Sequence, residues 1–277
     1  MNDAGRSRVV IWLDPAAPRE GALQILAGLS HADEILGLFI EDMSLLELSR
    51  LPVAREFTPD AAANRSLDPG DIERQFRTHA IRMQRQFEAT TRRLGASHRF
   101  QVTRGEPGAE LVRISTGCDM LVVAHSRRDL ATRLTLRACL GELLEHGPPA
   151  LLLVQEQWRT GQCIATLYNN GAASEAALRT AAALSRAEEL ELRVWLPDDE
   201  PKAHEQRLNR IREILGDGTR CAFETLPAQD SDELARATRA QHVRALVLPG
   251  TEPAATHRLV AELLERVNCS LIVVQGH

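Results

Sequence analysis

Aromatic side chains are scarce, at 4% of 277 residues, with a single tyrosine. That scarcity excludes a base-stacking platform and an aromatic-rich contact surface. Nor is there an excess of positive charge. The chain has 33 basic and 38 acidic residues, a formal net charge of −5, so it is not built to neutralise phosphates over a broad surface. No apolar run approaches the roughly 20 residues that span a bilayer; the segment from Pro148 to Val154 meets Gln155 and Glu156 at once. Near the amino terminus, Val9 to Leu13 is too short for the apolar part of a signal peptide and stops at Asp14. The five cysteines (Cys118, Cys139, Cys163, Cys221, Cys269) are scattered and include no CxxC. A disulfide framework or zinc site needs closer pairing, so they read as reduced, buried small hydrophobes. The nine histidines form no HxxxH or HxH cluster, and no metal is expected. A cytoplasmic protein without nucleic-acid or membrane partners is what these exclusions leave.

Hydrophobic residues, in contrast, make up 44% of the chain, enough for a sizeable core. A repeat is also present. Glu142-Leu143-Leu144-Glu145 returns as Glu262-Leu263-Leu264-Glu265, and the same offset carries Leu151 to Leu271, Val154 to Val274 and Gln155 to Gln275. A helix end and the following strand matching in one register divide the chain into two copies of one unit, 1–156 and 161–277.

Each copy alternates short apolar runs with helical patterns. Strands are expected at Val9–Asp14, Ile35–Ile40, His98–Thr103, Met120–His125 and Ala150–Gln155, then at Cys163–Asn169, Leu190–Leu196, Cys221–Leu226, Ala245–Leu248 and Ser270–Gln275. Helices are expected at Arg19–Leu29, Ile72–Leu94, Pro107–Ser115 and Arg133–Glu145, then at Ala173–Arg186, Ala203–Leu215, Ser231–Ala240 and His257–Val267. Near-continuous apolar strands alternating with helices predict two doubly wound, five-stranded parallel sheets of α/β class in tandem. The helix over 72–94 carries Ile72, Phe76, Met83 and Phe87 on one face; its arginines (Arg74, Arg77, Arg82, Arg85, Arg92, Arg93) are interspersed with acids and read as a solvated face. The first copy also inserts residues 42–70, with Leu45, Leu46, Leu48 and Leu51. That insertion reads as a surface loop with its own small helix packed on the core; the alternative is a cover over an apolar metabolite.

Val9-Val10-Ile11-Trp12-Leu13-Asp14 with Ala22-Leu23, Ser174-Glu175-Ala176-Ala177-Leu178-Arg179-Thr180-Ala181, and the closing segments Ala150–Gln155 and Ser270–Gln275 together resemble the universal stress protein family in its tandem form. The resemblance spans nearly the whole chain except the insertion. It implies a Rossmann-like fold, a nucleotide cleft, and pairing of the two units through their last strands as an internal pseudo-dimer, with a further homodimer left open.

Nucleotide-binding members carry, after the fourth strand, Gly, two residues, Gly, nine residues, Gly and a hydroxyl residue. Glycines let the backbone approach phosphates, and the following helix N-terminus favours anions. Laid on this chain, the frame falls on Ala124, Arg127, Arg137 and Ala138, with His125 inside it; the second copy has about Leu248, Thr251, His257 and Arg258. The glycines are gone from both. The family's strand-end Asp survives as Asp14 and becomes Asn169 in the second copy, and an Asp before Pro15 is also an ordinary turn former. The candidate ligand cleft is therefore Asp14, Ala124, His125, Arg127 and Arg137, with no catalytic residue and no cofactor, ATP included. The arginines could hold an anion in place of backbone amides, or pair with Asp129 and Glu142. The expectation is a non-catalytic stress-response factor that acts by binding. The alternative is a nucleotide-binding or slowly hydrolysing protein that uses Asp14 and the Arg127/Arg137 loop.

Overall fold

The computed structural model describes residues 7–14, 32–51, 55–56, 65–66, 68–94, 97–125, 130–155, 161–198, 200–216, 219–227 and 229–276. The first half contains β1 (Arg8–Trp12), β2 (Glu34–Asp42), α1 (Met43–Ser49), β3 (Arg55–Glu56), β4 (Arg65–Ser66), α2 (Pro69–Leu94), β5 (Ser97–Gly105), α3 (Pro107–Ser115), β6 (Met120–His125), α4 (Leu130–His146) and β7 (Ala150–Gln155). The second half contains β8 (Cys163–Leu167), α5 (Ala172–Ala187), β9 (Glu191–Pro197), α6 (Pro201–Leu215), β10 (Cys221–Leu226), α7 (Ser231–Ala240), β11 (Val243–Gly250), α8 (Pro253–Arg266) and β12 (Ser270–Gln275). The helix read at Arg19–Leu29 lies outside the described residues.

Ten strands make one sheet in the order β10-β9-β8-β11-β12-β7-β6-β1-β2-β5. Numbered within each half, both orders are 3-2-1-4-5. All pairings are parallel except one: β12 meets β7 antiparallel. The expected doubly wound α/β fold is present, with five main-sheet strands in each half. In the second half, β11 runs over Val243–Gly250, longer at both ends than its apolar core, because parallel neighbours β8 and β12 extend the ladder past the apolar residues.

The period-two alternation of strands distributes the core to two faces. From β1, Val10 and Trp12 join Leu111 and Ile114 of α3, Leu140 of α4, and Val260 and Leu263 of α8. Val9 and Ile11 belong to the cluster on the other face, which also holds Met83 and Phe87 of α2, Leu178 of α5 and Ile211 of α6. Each cluster continues across the β7–β12 seam. On α2, Arg74 pairs with Asp71, Arg77 with Glu73 at 3.8 Å and Arg92 with Glu88 at 3.3 Å. These i,i+3 and i,i+4 pairs are those of a solvated helix face.

In the insertion, Asp42 caps α1 by accepting from the Ser44 amide at 2.8 Å. Leu46 is buried against Ile72 and Phe76 of α2 in a small cluster of its own. Leu45, Leu48 and Leu51 are about half exposed (47%, 50% and 51%).

Candidate functional site

In a doubly wound sheet the ligand crevice lies outside the carboxyl ends of the strands, where their order reverses. In the first half that point falls between β1 and β6. The Leu13 amide donates to the Leu38 carbonyl at 2.8 Å, which carries the chain one step past β1 and sets Asp14, half-buried, at the crevice mouth. Ala124 is buried at 4% exposure among Val122, Leu152 and Val154. His125 ends β6 opposite Gln155. Arg127 lies outside the described residues.

Arg137 departs from the expected cleft. Its guanidinium forms an ion pair with Glu265 of α8, in the other half of the chain. It therefore stands at the seam between α4 and α8, and the partner it has among the described residues is Glu265 and not Glu142; Asp129 lies outside the described residues. Sequence distance hid this partner: 128 residues separate the pair, and only the antiparallel seam brings α4 onto α8.

The seam is built around an approximate two-fold. Leu152 faces Ile272, while Leu151 faces Val273 and Leu153 faces Leu271; each of these pairings maps onto itself or its mate when the repeat is exchanged. At the two ends the glutamines work reciprocally. Gln155 donates its Nε2 hydrogen to the Val267 carbonyl at 2.9 Å, and Gln275 donates its own to the Leu144 carbonyl at 2.8 Å. Each side chain thus satisfies a carbonyl at the end of the facing half's last helix, a group that a helix leaves without an internal partner.

Strand registers also align the crevice of the second half. Ala124 lies opposite Val154, and Pro249 lies opposite Val274. Since Val154 and Val274 are repeat equivalents, Pro249 corresponds to Ala124 and Gly250 to His125. The sequence frame that used Leu248 is one residue short, because β11 is longer than its apolar run. Likewise the Tyr168 amide donates to the Trp195 carbonyl at 3.0 Å, so Tyr168 corresponds to Leu13 and Asn169 to Asp14.

That second crevice is shaped by backbone. Asn170 and Gly171 both have positive φ (67° and 89°), turning the chain sharply from β8 into α5, and the Asn169 amide donates to Ser174 Oγ at 3.2 Å. After β12 the chain is laid directly on the first turn of α5: a Cβ at Gly276 would come within 2.4 Å of the Ala173 nitrogen. Tyr168 is buried beneath this turn, where burial first and then the Glu175 carboxylate raise its phenol above the usual range. Tyr168 is the chain's single tyrosine and Gly276 directly follows the last strand, but nothing in the sequence placed either of them at this turn.

Burial pushes the Cys118, Cys139 and Cys269 thiols up to about 12 and Cys221 to about 11. A thiol held that far from ionisation is not a nucleophile at neutral pH. Among the described residues no three His, Cys, Asp or Glu side chains are grouped as metal ligands, and no helix is long and apolar enough to cross a membrane.

No protein-family model and no curated protein sequence matches the chain. The fold does have solved counterparts. It is similar to a universal stress protein from Archaeoglobus fulgidus DSM 4304, with TM-score 0.67 and 11% identity, covering 97% of this chain and 96% of that one. A functionally unknown protein from Pseudomonas aeruginosa PAO1 aligns with TM-score 0.58 and 13% identity over 98% of this chain and 93% of the other. The cytoplasmic domain of a prokaryotic cation chloride cotransporter aligns with TM-score 0.55 and 11% identity over 98% and 96%.

Proposed function

We propose that the protein is a universal-stress-type response factor of the cytoplasm, formed of units 1–156 and 161–277, that acts by binding and not by catalysis. The observation that carries this reading is the pairing of that fold with a crevice chemistry unsuited to a triphosphate. The likeness to the Archaeoglobus protein extends over 97% of the chain, while the position of the first phosphate-loop glycine holds the buried side chain of Ala124 in one half and Pro249 in the other. A methyl group or a proline ring in place of hydrogen keeps backbone amides from closing on phosphate oxygens.

Calorimetric titration with ATP tests the reading, with Arg127→Ala as the comparison. The expected result is no binding in the micromolar range in either protein. Micromolar binding by the wild type that weakens in Arg127→Ala overturns it in favour of a nucleotide-binding protein using Asp14 and the arginine loop. The half-exposed Leu45, Leu48 and Leu51 of the insertion favour a second reading, an apolar metabolite held there. Native mass spectrometry of the protein purified from its host reads a retained small mass in that case and the bare chain otherwise.

A further inference from the structure

Beside the glutamine clasp is a cavity of about 200 Å³ lined by both halves of the chain: Leu144 and Glu145 of α4, Gly250 and Thr251 after β11, Pro253 and Thr256 of α8, and Gln275 with Gly276. It is smaller than the roughly 300–1,000 Å³ pockets that take drug-sized ligands. Two of its walls carry opposite electrical character.

The first wall is the amino end of α8. This helix has 14 residues, Pro253 at its start and no side-chain cap from Glu252. The amides of Ala254 and Ala255 belong to the first turn, where no intrahelical acceptor exists. Thr256 follows them. It is 5% exposed, and its hydroxyl has no hydrogen-bond partner among the described residues. The other threonines buried among the described residues, Thr91, Thr166 and Thr238, each donate their hydroxyl to a carbonyl. Thr256 lines the cavity, where its hydroxyl is open to a ligand oxygen.

The second wall is acidic and accepting. Glu145 has a single ion-pair partner among the described residues, its neighbour His146, with Nδ1 at 3.9 Å. Its repeat equivalent, Glu265, is engaged by Arg137, and the equivalent of Arg137 on α8 is His257, which makes no such bridge to Glu145. The two sides of the seam have therefore diverged: one holds an ion pair, the other a cavity with a carboxylate on its rim. Gln275 spends its amide hydrogen on the Leu144 carbonyl, and its Oε1 remains an acceptor at the same wall. Glu252, His146 and His257 are the titratable sequence neighbours of the lining residues Thr251, Glu145 and Thr256.

A simple anion would meet the helix end but be repelled by Glu145 and Glu252; a simple cation would meet Glu145 but face the positive end of α8. We propose that this seam cavity binds a small zwitterion of amino-acid size, its carboxylate at the amino end of α8 on the Thr256 hydroxyl, its ammonium between Glu145 and the side-chain oxygen of Gln275. The site goes beyond the stress-factor reading and stands or falls apart from ATP binding.

The test uses the full chain and a panel of free L-α-amino acids, followed by thermal shift and calorimetry, with sodium acetate, ethylammonium chloride and inorganic phosphate as single-charge controls. At least one amino acid raises the melting midpoint with concentration. Glu145→Gln and Thr256→Val each weaken that binding by about tenfold or more, as loss of a charge-assisted or buried hydrogen bond requires, while Thr256→Ser retains it. Glu145 is exposed, so Glu145→Gln keeps the test decisive even where Thr256→Val fails to fold. The proposal is overturned by an absence of binding across the panel, by binding that Glu145→Gln leaves unchanged, or by acetate or phosphate alone binding as well as the amino acid does.

Discussion

At position 124 a methyl group occupies the place of a loop glycine, and it is buried with the valines of its own and the next strand. Its chemistry was readable from the sequence; its burial was not, because that depends on which face of β6 joins the cluster of Ile11, Leu152 and Val154. The cysteines are a second case. Free, scattered cysteines suggest inert packing groups, and their surroundings supply the cause: desolvation holds Cys118, Cys139 and Cys269 at about 12, against 9.0 for an unperturbed thiol. Between those values the unfolded chain has lost the proton and the folded chain still binds it, so folding stability falls as pH rises through that window. Below pH 9 this contribution is fully present. Each such thiol adds a slope that grows toward about 1.4 kcal/mol per pH unit. Urea unfolding from pH 8 to 11 shows the midpoint declining, and replacing Cys139 with Ala makes the decline shallower. A midpoint independent of pH over that range would contradict the burial assigned to these groups.

Among the elements, the insertion shows most clearly what pattern reading can and cannot reach. Four leucines within seven residues of one another announce a small helix, yet they do not say which leucine is inward. In the structure Leu46 is the leucine that α1 turns onto Ile72 and Phe76 of α2, with Met43 packed beside it, and this cluster is separate from both large cores. Leu46→Ala therefore releases α1 without breaking the sheet. Hydrogen exchange should show faster exchange over Met43–Ser49 and unchanged protection in β1 and β6, with a local cost of about 2–5 kcal/mol. Loss of protection throughout the molecule would place α1 inside the main core instead. On α2 the sequence already separated apolar from charged faces, since a helical period places Met83 and Phe87 on one side whatever the neighbours are.

For the whole molecule the decisive feature is the antiparallel junction of β7 and β12. It merges two five-stranded sheets into one, and both apolar clusters run through it. Unfolding either half alone would expose Leu151, Leu153, Leu271 and Val273 together, which predicts one cooperative transition. Scanning calorimetry should give a single peak with van't Hoff and calorimetric enthalpies in agreement. Ile272→Ala, at the centre of the pseudo-two-fold, should cost about 2–5 kcal/mol and lower that one peak. Two resolved peaks, only one of which moves in Ile272→Ala, would mean that the halves fold independently.

The sequence by itself determined the alternating α/β order, the repeat, and the replacement of glycine at the candidate phosphate loop. Periodicity and local residue chemistry act over a few positions, so a single chain displays them without help. The partner of Arg137, the correspondence of Pro249 with Ala124, the packing of Gly276 on the first turn of α5 and the cavity lined by Thr256 were decided by tertiary structure alone. Each depends on strand register or on contacts between residues more than a hundred positions apart, or brought together only by the seam, and register is set by how two faces pack, not by either face's own sequence.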